Sequence, residues 1–277
     1  MPGPLTLLLD NGSLVPAATL ALRGLAERLS HRLGQAVAPV SLLHSAGLDP
    51  AKLGGTPAEI LVPALERRLA AGQNDFLILP LFFGPSRALT EYLPEQLTRL
   101  RASHPALRVW LAPPLHAAGD ERLGKILTEQ VSGCLDPADP SPVRVALVDH
   151  GSPIATVTAV RDELARQLAA QLGSRVAAVA PCCMERRPEP AYDFNGPLLA
   201  KLLATPPWSE GRVVVALQFL LPGRHAGPDG DVAEICRQAR TRQPGLRTQM
   251  TGLIGTHPLL LEILADRGQG ARPMELA

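Results

Sequence analysis

Aromatic side chains are scarce in this chain, at 3% of 277 residues, so the core must be aliphatic and a ligand held mainly by ring stacking is not expected. Charge of one sign is lacking as well. With 27 Lys and Arg against 26 Asp and Glu, the formal net charge of +1 leaves no electrostatic case for binding nucleic acid or an anionic membrane surface. No apolar run is long enough to span a bilayer: Leu5–Leu9 stops at Asp10, and the stretch from Val213 to Leu221 contains Gln218 and ends at Pro222. The first of these also has no basic lead-in, so it reads as a strand and not as a secretory core. Cys134, Cys182, Cys183 and Cys236 show no CxxC spacing, and the adjacent pair is poorly placed to bond to itself. Free thiols and a cytoplasmic location are therefore expected. There is no Walker loop, no strand followed by GxGxxG and no GxSxG elbow, which removes nucleotide binding and serine hydrolysis from consideration.

What the sequence does contain is one pattern written twice. LLLDNGS (Leu7 to Ser13) matches ALVDHGS (Ala146 to Ser152), which sets Asn11 against His150, 139 positions apart. Leu22, Leu25, Leu29 and Leu33 recur at helical spacing and stop at Gly34; Val160, Leu164, Leu168 and Leu172 do the same and stop at Gly173, again 139 further on. FFGPSRA (Phe82 to Ala88) faces FLLPGRH (Phe219 to His225), and LRVWLAP faces LRTQMTG. Short apolar runs such as Val143–Val148, Val176–Ala180 and Val213–Leu217 alternate with helices of roughly 12 to 16 residues, the pattern of right-handed βαβ units. The expected fold is α/β, with two tandem repeats, each a small parallel sheet with helices on both faces, and a site in the cleft between them. Residues 1–134 form the first repeat, 135–142 a linker in which Pro137, Pro140 and Pro142 exclude helix and central strand, and 143–277 the second repeat.

In such sheets ligands gather beyond the carboxyl ends of the strands. Three polar groups of the second repeat fall there: His150 after its first strand, Glu185 after its second and His225 after its third. Two imidazoles and a carboxylate with vacant positions suit Fe(II), Co(II), Ni(II) or Zn(II). The first repeat carries Ala88 opposite His225 at offset 137, and Asn11 and Ala46 opposite His150 and Glu185 at offset 139, so the whole set is missing there and one site per chain is expected. His44 and Ser45 face Cys183 and Met184 at that offset, and neither Cys182 nor Cys183 is expected as a ligand.

The second repeat resembles the sirohydrochlorin cobaltochelatase and ferrochelatase family of class II chelatases. The resemblance rests on His150-Gly151-Ser152 and Gly223-Arg224-His225, and with the first repeat it covers nearly the whole chain as a long, fused form. It implies insertion of Co(II) or Fe(II), or Ni(II), into a tetrapyrrole with eight carboxylates, with the metal as substrate and no organic cofactor. It also implies Glu185 as the family's acidic residue and Asp229 as its Asp beyond the second His. Metallation removes two pyrrole protons, so His150 is assigned as proton acceptor and metal ligand, His225 as second ligand and Glu185 as the carboxylate completing the ion's sphere. Ser152, Arg224, Ser86 and Arg87 are expected to meet the substrate, with Arg186 and Arg187 as further cations at strand-end loops. A pseudo-dimer within one monomeric chain, with no nucleic-acid or membrane partner, completes the expectation. The alternatives are a non-catalytic carrier of metal or tetrapyrrole and a metal-dependent hydrolase using the same three groups.

Overall fold

The computed structural model describes residues 3–139 and 141–276; Pro140 of the expected linker lies outside them. Through the first half run β1 (Leu5–Asp10), α1 (Pro16–Leu33), β2 (Val37–Ser41), α2 (Leu61–Ala70), β3 (Asp75–Pro80), α3 (Leu93–Ser103), β4 (Arg108–Leu111) and α4 (Arg122–Ser132). The second half repeats the order as β5 (Val143–Asp149), α5 (Ala155–Leu172), β6 (Ala178–Cys183), α6 (Leu199–Leu202), β7 (Gly211–Leu217), α7 (Asp231–Arg242), β8 (Leu246–Met250) and α8 (Pro258–Gln269), followed by a short β9 (Arg272–Pro273). The leucine-spaced helices end where expected: Gly34 takes φ 65° after α1, and Gly173 takes φ 54° after α5. Helix α6 is a single turn and not the 12 to 16 residues expected.

Among the described residues the strands form two sheets, in the orders β2-β1-β3-β4-β9 and β6-β5-β7-β8, parallel throughout except for β9 against β4. Central strands are buried on both faces, and Leu7, Leu8, Leu9, Val145, Leu147 and Val148 all have no exposed surface. Strand β6 runs through Pro181 to Cys183, three residues beyond the expected end at Ala180. It is an edge strand, as is β2 with Pro39, and a proline is tolerated where one side of the strand has no ladder to donate into. No helix among the described residues is long and apolar enough to cross a membrane.

The compact units do not follow the repeats. One comprises residues 1–118 with 258–277, the other residues 119–257, so the last helix of each repeat belongs to the other repeat's unit. Helix α4 buries Leu123, Ile126, Leu127 and Val131 and packs on α5. Gly124 makes the close approach possible, since a Cβ there would lie 2.5 Å from Gln167 Oε1 and 2.9 Å from Gln167 Cβ. Helix α8 packs on α1 in the same way; its buried Arg267 donates from Nε and Nη2 to the Leu115 carbonyl, at 3.1 and 2.7 Å. The sequence boundary near residues 135–142 marks where the pattern restarts, whereas the apolar face of α4 is covered by the unit that follows it.

Candidate active site

Strand β5 ends at Asp149, and the chain turns through His150 and Gly151 into α5. Gly151 has φ 96°, and a Cβ on it would fall 1.9 Å from the Glu185 carbonyl oxygen, so only glycine fits. The same approach locks Glu185 beside the turn. Beyond β6 the ladder continues as Met184 N–H donating to Asp149 O (2.8 Å) and Glu185 N–H to His150 O (3.1 Å). His150 and Glu185 are thereby placed side by side from separate strand ends, with His150 Nε2 at 3.2 Å from Glu185 Oε1.

His225 arrives on the loop after β7. That loop curls back on itself: Gly223 N–H donates to Ala226 O, and the first turn of α7 is tied down by Asp231 N–H to Arg224 O and Val232 N–H to His225 O. The curl brings the His225 ring to the His150 ring, centroids 4.6 Å apart at 67°. It also brings Asp231 Oδ2 to 2.7 Å from His225 Nδ1. A carboxylate can only accept, so the proton is assigned to Nδ1 and Nε2 keeps its lone pair for an incoming ion. His150 Nδ1 lies 3.1 Å from the Gly151 carbonyl, which assigns that ring the same tautomer. Its Nε2 then faces Glu185 Oε1 with lone pair towards lone pair, an arrangement that only a proton or a cation makes favourable.

Glu185 is 63% exposed and His150 46%, so both are open to solvent. The side chains as they stand form no closed cage, and among the described residues no three His, Cys, Asp or Glu groups are arranged to hold an ion outright. The three expected ligands nonetheless meet: one contact joins His150 to Glu185, another His150 to His225.

Other expectations fare differently. Asp229 is exposed and has no side-chain partner among the described residues, while Asp231, two positions on, is the carboxylate that meets His225. Ser152 spends its groups on the turn, its N–H donating to Asn195 Oδ1 (2.9 Å) and its Oγ accepting from Ile154 N–H (3.0 Å). Arg224 is 79% exposed, with Nε 3.6 Å from Asp231 Oδ2. Ser86 and Arg87 lie in the other compact unit, where Arg87 Nε sits 3.5 Å from Glu91. Cys182 and Cys183 donate to the Leu147 and Pro197 carbonyls, and burial pushes both thiols up, away from the thiolate a metal would need. In the first repeat, Leu43 N–H donates to Asn11 O as Glu185 N–H does to His150 O, so Leu43 stands opposite Glu185 where the constant offset had placed Ala46. His44 correspondingly faces Arg186 and not Cys183.

Beside His150 and Glu185 lies a cavity of about 370 Å³ bounded by Ser152, Arg186, Arg187 and Tyr192. Arg186 is paired with Asp193 at 2.6 Å. Arg187 instead lies over the Tyr192 ring, 5.3 Å from its centroid, and donates to Tyr192 Oη at 3.0 Å.

Two residues behind the site carry little sequence signal. Arg161, on the face of α5 that holds Val160 and Leu164, is 1% exposed and reaches Asp149 Oδ1 at 3.3 Å. Burial raises the Asp149 carboxyl and the Arg161 charge draws it back down. Asn195 ends a 3₁₀ turn (Pro190–Asn195) and is equally buried. Only a cation on an otherwise apolar helix face hinted at Arg161.

Residues 144–271 match the CbiX family. No curated protein matches the chain. Among solved structures the chain is similar to SirB from Bacillus subtilis with Fe3+ (TM-score 0.69, 17% identity, covering 97% of this chain and 95% of that one). It is also similar to the sirohydrochlorin chelatase SirB from Bacillus subtilis subspecies spizizenii in complex with cobalt (TM-score 0.68, 16% identity, 97% and 94%). A third similarity is to CbiX, the terminal enzyme for biosynthesis of siroheme in denitrifying bacteria (TM-score 0.60, 19% identity, 96% and 98%). The fold of the whole chain is thus the fold of these proteins.

Proposed function

We propose, from the match of residues 144–271 to the CbiX family, that the protein is a chelatase inserting Co(II) or Fe(II) into sirohydrochlorin. The observation that carries the reading is the meeting of His150, Glu185 and His225 at strand ends 35 to 75 residues apart in sequence. Chelation exchanges one divalent cation for two pyrrole protons, and the facing lone pairs of His150 Nε2 and Glu185 Oε1 accept either kind of cation. His150 presents the ion and, once the ion is handed on, its freed Nε2 takes one pyrrole proton while Glu185, which offsets the ion's charge, takes the other; His225, held by Asp231, supplies the second imidazole. Their open arrangement suits an ion that must be handed on, since a closed four-ligand site would retain it.

Substrate carboxylates need local cations in a nearly neutral protein. Arg187 is the best placed, because it lines the cavity beside His150 and is held by an aromatic ring where Arg186 is neutralised by Asp193. Ser152 supports the turn, and Arg224 lies on the exposed side of His225. With two repeats in one chain, a monomer is expected; sedimentation would test it.

Incubation of the chain with sirohydrochlorin and Co(II) or Fe(II) tests the function by absorbance. Many turnovers per chain are expected. A change that stops at one equivalent would mean a carrier, and no tetrapyrrole binding together with a zinc-activated hydrolysis lost in His150→Ala would mean a hydrolase.

A further inference from the structure

Arg161 is a whole guanidinium withdrawn from water, 1% exposed, on a helix that otherwise buries Val160, Leu164 and Leu168. A buried cation is costly unless it is hydrogen-bonded, and here all three guanidinium nitrogens donate. Nη1 donates to Asp149 Oδ1 (3.3 Å) and to the Asn195 carbonyl (2.9 Å), while Nε and Nη2 donate to Asp162 Oδ1 (3.0 and 2.7 Å). Asn195 is just as fully engaged. Its Oδ1 accepts from Ser152 N–H (2.9 Å) and Thr158 Oγ1–H (3.2 Å), and its Nδ2 donates to the carbonyls of Ser152 (2.9 Å) and Tyr192 (3.1 Å).

The targets of this network have a pattern. Asp149 immediately precedes His150-Gly151 and Ser152 immediately follows, so the network grips both ends of the turn that carries the imidazole. The turn alone does not require it. The first repeat makes the corresponding turn with Leu22 at the position matching Arg161, and clamps Ser13 with nothing larger than Ser45 Oγ. Among the described residues, the cation and the amide occur beneath this turn only in the copy that bears His150 and His225.

We propose that Arg161 and Asn195 are positioning residues of the metal site, fixing both ends of the Asp149–Ser152 turn so that the His150 ring stays opposite Glu185 and against His225. The inference rests on the chelatase reading for its purpose, but its geometry can be tested separately. Small displacements of a reacting group are expensive, and partners behind a metal ligand typically contribute about 10- to 100-fold in affinity.

The test uses the full chain. In Asp149→Asn/Arg161→Leu, which leaves no buried charge because Asp162 is 47% exposed, and in Asn195→Ala, Co(II) titrated into the protein without tetrapyrrole should bind about 10- to 100-fold more weakly. The nuclear Overhauser contact between the His150 and His225 rings should fade in both. Leu168→Ala, a core truncation on the same helix, should lower the melting temperature yet keep Co(II) affinity and the inter-ring contact. Wild-type affinity and inter-ring contact in the first two variants would overturn the proposal, as would an equal loss of affinity in Leu168→Ala. Failure of the wild type to metallate sirohydrochlorin would instead count against the chelatase reading, leaving the ring-contact measurement to decide this one.

Discussion

The turns after β1 and after β5 follow the same path with different chemistry. In both, the ladder is prolonged by two N–H donors from beyond the neighbouring strand, Leu42 and Leu43 in the first and Met184 and Glu185 in the second. In both a glycine sits at positive φ, Gly12 at 84° and Gly151 at 96°, with no room for a Cβ against the opposing carbonyl. The side chains then diverge. Asn11, Leu43 and Ala88 stand where His150, Glu185 and His225 stand. Asp149 has Arg161 beneath it, whereas Asp10 has a buried Oδ1 with no partner among the described residues, and burial raises its carboxyl to about 6 despite a hydrogen bond from Ser41. The comparison teaches that this backbone turn is a property of both repeats, whereas the meeting of His150, Glu185 and His225 is confined to one copy.

The comparison breaks most directly at the ligands. His150→Ala or His225→Ala should lower the rate of Co(II) insertion into sirohydrochlorin by about 1000-fold, the scale of a lost proton acceptor or ligand, while Asn11→Ala should leave it close to wild type. Equal losses from the two turns would mean that both copies act. The exchanged helices sharpen it next. Ile126→Ala in α4 should destabilise the chain by about 3 kcal/mol, with hydrogen-exchange protection falling in β5 and β7 and not in β1 and β3. A loss confined to the first sheet would contradict the packing of α4 on α5.

Asp10 offers a third test. Its folded value lies above the ordinary 3.8, so the native state holds its proton longer than the unfolded chain. Stability is therefore full below about pH 4, falls as pH rises through about 6, and stays reduced above. Asp10→Asn should remove that slope and stabilise the protein at pH 7 by about 3 kcal/mol, because each tenfold gain in proton affinity on folding is worth about 1.4 kcal/mol. Denaturant melts at pH 4 and pH 7 measure both effects. The smallest expected change is at the other carboxylate: Asp231→Asn should weaken Co(II) binding about 10-fold, with Asp229→Asn as the comparison that leaves it unchanged.

Much of this was legible because period and punctuation are local. Leucines every three to four residues closed by Gly34 give α1 wherever it packs, and an apolar run ending in Asp-His-Gly-Ser gives a strand and a tight turn. His150, Glu185 and His225 could be singled out because parallel strands put their carboxyl ends on one edge. Helix α4 could not be assigned to its unit, since its stripe of Leu123, Ile126, Leu127 and Val131 states that one face is covered but not by which sheet. Asp231 could not be singled out, because it reaches His225 only through the curl of the loop, whose hydrogen bonds to α7 join residues six or seven apart.

The sequence by itself determined the two repeats, their alternation of strand and helix, and the concentration of the candidate ligands His150, Glu185 and His225 in the second. Tertiary structure alone decided which unit covers each final helix, that Asp231 is the partner of His225, and that Arg161 and Asn195 lie buried beneath the turn. The reason is physical: burial and periodicity act on each segment separately, whereas a hydrogen bond between a helix, a strand end and a distant turn exists only once all three have been brought together.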